Sequence, residues 1–181
     1  QTKSALVNTA SDRVFDFDSQ NRLVGATVLD MGAGKLNAGV AVRTNVTVEP
    51  ATLAFGAYAE GAPPPPELVF RNHASESVRL QLAVVPSPVV SSSARVILDA
   101  TTLNIPAGGS ARVTARLEGS RPQPEFYDGA VQVSGGPVPL RIPYLYFVAD
   151  GTPYNILPLQ GDGFVGDVGG RTRLALKVID R

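Results

Sequence analysis

The sequence predicts a mainly β protein: an antiparallel two-layer β-sandwich preceded by a small helix–hairpin–helix segment. Three observations lead there. Apolar residues recur at every second position in short runs between Leu53 and Tyr144, the period that sets one face of a strand in a core and the other in water. Polar, glycine-rich or proline-containing clusters punctuate those runs, as turns do. The 181 residues also include 18 glycines and 15 prolines. That proline density argues against long helices, because an interior proline removes a helix hydrogen bond and clashes with the preceding turn.

The elements divide into three stretches. In residues 1–44, Ala5, Leu6, Thr9 and Ala10 fall at helical spacing and predict one short helix. A second helix is expected over Lys35 to Val42. Between them, Val14-Phe15-Asp16-Phe17 and Leu23 to Leu29 read as extended segments joined by the polar turn Asp18-Ser19-Gln20-Asn21. A unit this small cannot build a stable core by itself. In residues 45–149, Leu53 and Phe55 open the strand series, and Leu68 and Phe70 continue it. The turn Asn72 to Ser77 leads into Val78, Leu80, Leu82 and Val84. Leu103 and Ile105 precede the turn Pro106-Ala107-Gly108-Gly109-Ser110, after which Val113, Ala115 and Leu117 alternate. Val131 and Val133, then Leu140, Ile142 and Tyr144, complete the set. About seven such strands in about 100 residues is the signature of a β-sandwich. In residues 150–181, Gly161, Gly163, Gly166, Gly169 and Gly170 predict a turn-rich connector, and Leu174, Leu176 and Val178 predict a closing strand.

Bulk composition excludes several function classes. Net charge is zero, which leaves no electrostatic footprint for nucleic acid or an anionic membrane surface. No cysteine is present, so neither a disulfide framework nor a thiolate metal site can form. No apolar run is long enough for a membrane-inserted helix. With 44% hydrophobic residues the chain can bury a core and does not read as disordered.

Candidate chemistry is sparse. His73 is the only histidine. It lies in a polar turn without a nucleophile or orienting carboxylate in a recognisable motif, and reads as a surface residue. Asp162, Asp167 and Asp180 lie in or beyond a glycine-rich loop that could supply calcium with oxygen ligands. The spacing fits no helix-loop-helix site, and plain turns are the expectation. Asp12, Asp16 and Asp18 read as the solvated face of the hairpin, offset by Arg13 and Arg22. Gly32-Ala33-Gly34-Lys35 is followed by Leu36 where a phosphate loop needs Ser or Thr, so it reads as tight helix packing. Asn45-Val46-Thr47 is a glycosylation sequon, and Pro63 to Pro66 a stiff loop between strands. No residue is assigned a catalytic, cofactor-binding or metal-binding role, and no cofactor is expected.

Two resemblances add to this reading. Lys3-Ser4-Ala5-Leu6-Val7-Asn8-Thr9-Ala10 and Gly32-Ala33-Gly34-Lys35-Leu36-Asn37-Ala38-Gly39-Val40-Ala41-Val42 resemble the two helices at the C-terminal edge of a subtilisin-like serine protease (subtilase) catalytic domain. Ile105 to Ser110, Tyr127-Asp128-Gly129-Ala130-Val131 and Leu140-Arg141-Ile142-Pro143-Tyr144 are similar to the fibronectin type III-like, immunoglobulin-like domain that follows it in large secreted subtilases. Leu174 to Arg181 resembles the first strand of a further immunoglobulin-like module. The resemblance implies a fragment: 1–44 the edge of a catalytic domain, 45–149 the sandwich, and 150–181 a connector with the opening strand of the next module. It implies a non-catalytic accessory region of a secreted or cell-surface endopeptidase, since none of the family's catalytic positions has a match. Its implied partner is the peptidase domain of the same polypeptide, with protein substrates or self-association beside it. The competing reading is a stand-alone adhesive or protein-binding sandwich. A carbohydrate-binding sandwich is disfavoured by the lack of tryptophan and only five tyrosines. On either reading Leu6, Val7, Leu36, Val40 and Val42 should not remain in water: the segment is expected to dock onto the sandwich, to pair with a second copy of the chain or to be mobile, and removing residues 1–42 should leave the sandwich folded.

Overall fold

The computed structural model describes residues 2–58 and 61–149, together with the backbone of residues 153–158 and 176–180. The expected fold class is the observed one, an antiparallel immunoglobulin-like β-sandwich. One sheet contains β3 (Val46–Glu49), β5 (Glu67–Asn72), β9 (Ser110–Gly119) and β7 (Ala94–Leu98), in that order. The other contains β4 (Leu53–Tyr58), β11 (Leu140–Val148), β10 (Glu125–Ser134), β6 (Val78–Pro86) and β8 (Thr102–Ile105). All sandwich pairs are antiparallel except β4 with β11, which run parallel. The chain thus enters through β3 in one sheet and continues as β4 in the other.

The alternation seen in the sequence is the alternation of burial. In β5, Leu68, Phe70 and Asn72 point inward while Glu67 and Arg71 are exposed. In β6, Leu80 and Leu82 point inward while Arg79, Gln81 and Ala83 are exposed. Phe70, Leu53, Leu68, Leu80, Ile105 and Ile142 are among the largest fully buried side chains. Burial of each contributes about 1.5–3 kcal/mol. Of the strand positions expected to alternate inward, only Val78 and Val84 are not fully buried. Buried Asn72 closes the turn that follows it. Its side-chain amide donates to the carbonyls of Glu76, Ile105 and Pro106, and its Oδ1 accepts from the Ala74 N–H.

Two sandwich strands were not anticipated. β3 is only four residues long and overlaps the sequon. β7 follows a serine run, and its Val96 and Leu98 alternate with a half-buried Ile97 that blurs the pattern.

The N-terminal segment differs from expectation in detail. α1 (Thr2–Asn8) forms as expected. β1 (Phe15–Phe17) and β2 (Leu23–Gly25) make the hairpin. The extended reading of Leu23 to Leu29 fails beyond Gly25, because Val28–Met31 is a helical turn, α2. Its start is set by Asp30, whose carboxylate accepts from the Thr27 N–H at 3.2 Å and hydroxyl at 2.6 Å, a helix-initiating arrangement that overrides the β preference of Val28. The helix expected over Lys35 to Val42 shrinks to α3 (Ala38–Ala41), capped by Asn37. Nor does the glycine pair before it serve helix packing. Gly34 has φ +110°, and a Cβ there would collide with the Ser11 carbonyl, so glycine permits the Ser11–Lys35 bridge.

This segment is bound to the sandwich through polar groups. Ser4 and Asn8 on α1 are 3% and 1% exposed. Ser4 Oγ donates to Asn8 Oδ1 at 2.9 Å and accepts the Val48 N–H of β3 at 2.7 Å. Asn8 Nδ2 donates to the carbonyls of Ala51 (2.7 Å) and Arg141 (3.0 Å). Arg141 donates in turn to the Ala33 carbonyl, and Asp128 of β10 accepts the Val28 N–H at 2.5 Å. The idea that this stretch needs an absent catalytic domain is thus corrected: its buried face is filled by the sandwich. At the other end, β12 (Pro153–Pro158) pairs with β13 (Leu176–Asp180) as a separate two-stranded ladder. The connector therefore contributes a strand that its turn-rich composition did not suggest.

Candidate functional site

Two features of the sandwich surface are open to a partner. The first is a cavity of roughly 630 Å³ between β6 and β7. It exists because β8 pairs with β6 only from Val78 to Gln81, with one further bond from the Leu82 N–H to Thr101. Beyond that point no described strand pairs with this side of β6. Leu82 and Val84 of β6, Val96 and Leu98 of β7, and the rings of Tyr127, Tyr144 and Tyr146 line the space.

The tyrosines are held by packing. Tyr127 stacks on Tyr146 at 5.1 Å, and Phe55 meets Tyr144 and Tyr146 edge-on, each at 6.4 Å. The Tyr127 hydroxyl donates to the Gln123 carbonyl. The Tyr146 hydroxyl bonds Ser92 Oγ and the Ala94 carbonyl. Tyr144 lies opposite Gly129, where a Cβ would come within 2.5 Å of its ring; glycine makes room for the phenol. Tyr144 is 3% exposed, and its ring borders the cavity. Desolvation by burial is the main cause raising the ionisation of Tyr127, Tyr144 and Tyr146 above the usual phenol value.

The second feature is apolar surface on the N-terminal segment. Phe15, Phe17, Leu23, Val24, Leu29, Leu36 and Val42 are exposed large hydrophobics. The register pairs Phe17 with Leu23 and Phe15 with Gly25, so Phe15, Phe17 and Leu23 share one hairpin face. Docking on the sandwich does not cover Leu36 and Val42, which are 62% and 82% exposed in the single chain. Leu6, Val7 and Val40 are half-buried.

The residues considered for chemistry stand apart. His73 is exposed in its turn, with Nε2 at 2.7 Å from Thr47 Oγ1 of β3. Asp18 organises the hairpin turn. Its Oδ1 accepts from the N–H groups of Gln20 and Arg22, and its Oδ2 pairs with the Arg22 guanidinium. The Arg22 N–H, then its side chain, hold the carboxyl below its usual range. Asp16 caps the Phe17 N–H, and Asp12 sits 3.9 Å from Arg141. Thus Asp12, Asp16 and Asp18 do not converge. Within the sequon, Thr47 is buried and Asn45 Oδ1 is buried without a partner. Pro63 to Pro66 link β4 to β5, and the Pro66 carbonyl accepts from the Ala115 N–H. Asp162 and Asp167 lie outside the described residues, as does the Asp180 side chain. Among the described residues no cluster of metal-ligating side chains occurs, and no helix is long and apolar enough to cross a membrane. The cavity escaped the sequence reading because it depends on where β8 stops. Its one legible trace is the tyrosine pair in Tyr144-Leu145-Tyr146 beside Tyr127-Asp128-Gly129.

No protein-family profile matches the chain, and no curated protein matches it. Solved structures with a similar fold include PapD-like (ASH) domain 7 of human CEP192, at 14% identity over 61% of this chain and 89% of that one, with TM-score 0.47. The E. coli chaperone DraB is similar at 12% identity over 58% of this chain, TM-score 0.45, and the match spans about half of it, 55%. WR4, a C. elegans member of the MSP family, is similar at 11% identity, over 59% of this chain and 99% of that one, with TM-score 0.39. At such values the likeness says nothing of function. The kinship with subtilisin-like proteases implied by Lys3 to Ala10 and Gly32 to Val42 is overturned: no profile or curated protein supports it, and the similar folds are PapD-like and MSP β-sandwiches. The description as protease, hydrolase or peptidase falls with it. The motif positions have another physical use, since Ser4, Asn8, Thr9 and Ala10 are the buried positions of the N-terminal helix and the residues just after it.

Proposed function

We propose that the chain is a non-catalytic protein-binding β-sandwich module that presents its N-terminal hairpin to a partner protein. The observation carrying this reading is the aromatic face of β1 and β2, where Phe15, Phe17 and Leu23 are 61%, 62% and 62% exposed. Two three-residue strands with every position exposed have no core of their own, and an isolated hairpin of this kind is marginal in water. Here it is carried by the polar anchoring of the flanking segment to β3, β10 and β11. Aromatic side chains held on a fixed support are characteristic anchors of protein interfaces.

A photo-reactive phenylalanine analogue at position 17, with the same analogue at exposed position 71 of β5 as control, tests the interface in cells of the source organism. A discrete protein adduct from position 17 alone is expected; equal labelling from both positions, or none, overturns the reading. The non-catalytic part is tested with casein: reproducible hydrolysis that disappears in His73→Ala would refute it.

A further inference from the structure

We infer that the cavity between β6 and β7 is a docking cleft for an extended peptide segment of a partner protein, one with a large apolar residue next to an acidic residue. The site is separate from the hairpin face and does not depend on it.

The class of ligand follows from the main chain. In an antiparallel ladder, successive residues direct their N–H and C=O groups to opposite sides of the strand. The Leu82 N–H bonds Thr101 on the β8 side, so Val84 also turns its polar groups to that side, past the end of the β8 pairing. On β7 the Asp99 N–H bonds Thr114 of β9, so Val96 and Leu98 direct theirs away from β9. No strand among the described residues pairs with that side of β7. Two open backbone edges therefore border one cavity. An extended peptide brings the matching row of donors and acceptors, which a compact small molecule does not, and strand addition to an open edge draws its affinity from such bonds.

The side chains specify the segment. The apolar walls formed by Leu82, Val84, Val96 and Leu98 accept a bulky residue. At roughly 630 Å³ the space takes an aromatic or long aliphatic side chain with part of its flanking backbone. Arg95 lines the mouth, and its cross-strand neighbour Glu118 pairs instead with Arg116 at 3.9 Å. That leaves the Arg95 guanidinium for an acidic residue beside the inserted one.

A random heptapeptide phage library panned on the whole chain tests the proposal, with Val84→Phe for counter-selection. Val84→Phe fills the cavity without removing core. Val96→Pro deletes an outward N–H and leaves the β7–β9 bonds in place, as proline on an edge strand can. The expected result is enrichment of sequences with one large apolar residue flanked by Asp or Glu. Affinity should fall at least about tenfold in Val84→Phe and in Val96→Pro. Near-ultraviolet circular dichroism selects variants that keep the native tyrosine environment, and Arg95→Ala is the fallback if both strand variants unfold. The Phe15→Ser/Phe17→Ser variant should bind the peptides unchanged, which separates this outcome from that of the hairpin interface. No enrichment, or enriched peptides that bind Val84→Phe or the fallback as tightly as the parent, overturns the inference.

Discussion

Asn8 is the residue on which the union of the N-terminal segment and the sandwich turns. Its side chain joins α1 to the Ala51 and Arg141 carbonyls and receives the Ser4 hydroxyl. Asn8→Ala would leave those groups buried without partners, at a cost of about 1–3 kcal/mol. Urea unfolding should show the loss as a lower midpoint in a single transition. A second, earlier transition confined to residues 1–42 would mean that the segment folds independently after all. Gly129 is the corresponding steric position. Its Cβ would meet the Tyr144 ring at 2.5 Å and the Val85 carbonyl at 2.6 Å, so Gly129→Ala should destabilise by about 1–3 kcal/mol, read by thermal melting. Neither role was legible in the sequence. An asparagine in a short amphipathic helix and a glycine after Tyr-Asp both read as ordinary local choices, and their partners lie far along the chain. The apolar core was legible at this scale, because Leu68, Phe70, Leu80 and Leu82 declare their direction by alternation alone. Leu82→Ala should cost about 2–5 kcal/mol, measured by the same unfolding experiment.

Among the elements, the long strands were read and the short ones missed. β5, β6 and β9 each carry enough alternating positions to fix a period. β3 offers four residues, and its neighbours compete as a sequon. The helical errors have a local cause. Apolar Val28 and Leu29 look like a strand until the bonds from Thr27 to Asp30 are considered, and Gly34 looks like helix packing until its contact with Ser11 is known. The hairpin turn is the element most sensitive to acid. The Asp18 carboxyl is held below its usual value, so its contribution is present above the unfolded value and is lost as pH falls through the lower folded value. Protection of the Gln20 and Arg22 amides, taken relative to their intrinsic exchange rates, should fall below about pH 4, with that of the β5 and β9 amides unchanged. A uniform loss of protection across both regions would place the acid response elsewhere.

For the whole molecule, the fold class was legible because a sandwich needs only strands, turns and an apolar face. The cleft was not, since it arises where the pairing of β8 with β6 ends beside the open edge of β7. The buried phenols also give the molecule a pH response at the alkaline end. Tyr144, Tyr146 and Tyr127 are raised by desolvation, so in the folded state they keep their protons to higher pH than in the unfolded chain. Stability from this source is complete below the unfolded value of about 10 and falls as pH rises through the folded values. Urea midpoints should therefore be level from about pH 7 to 9 and decline above about 10, less steeply in Tyr144→Phe. The parallel pairing of β4 with β11 has a consequence of another kind. Leu53 lies opposite Tyr144, and Tyr58 opposite Val148, so tension applied to the start of β4 and the end of β11 pulls the two strands past each other lengthwise. Their shared bonds are then strained together instead of opening one at a time like a zipper, so a tether attached at those two ends loads this ladder in shear.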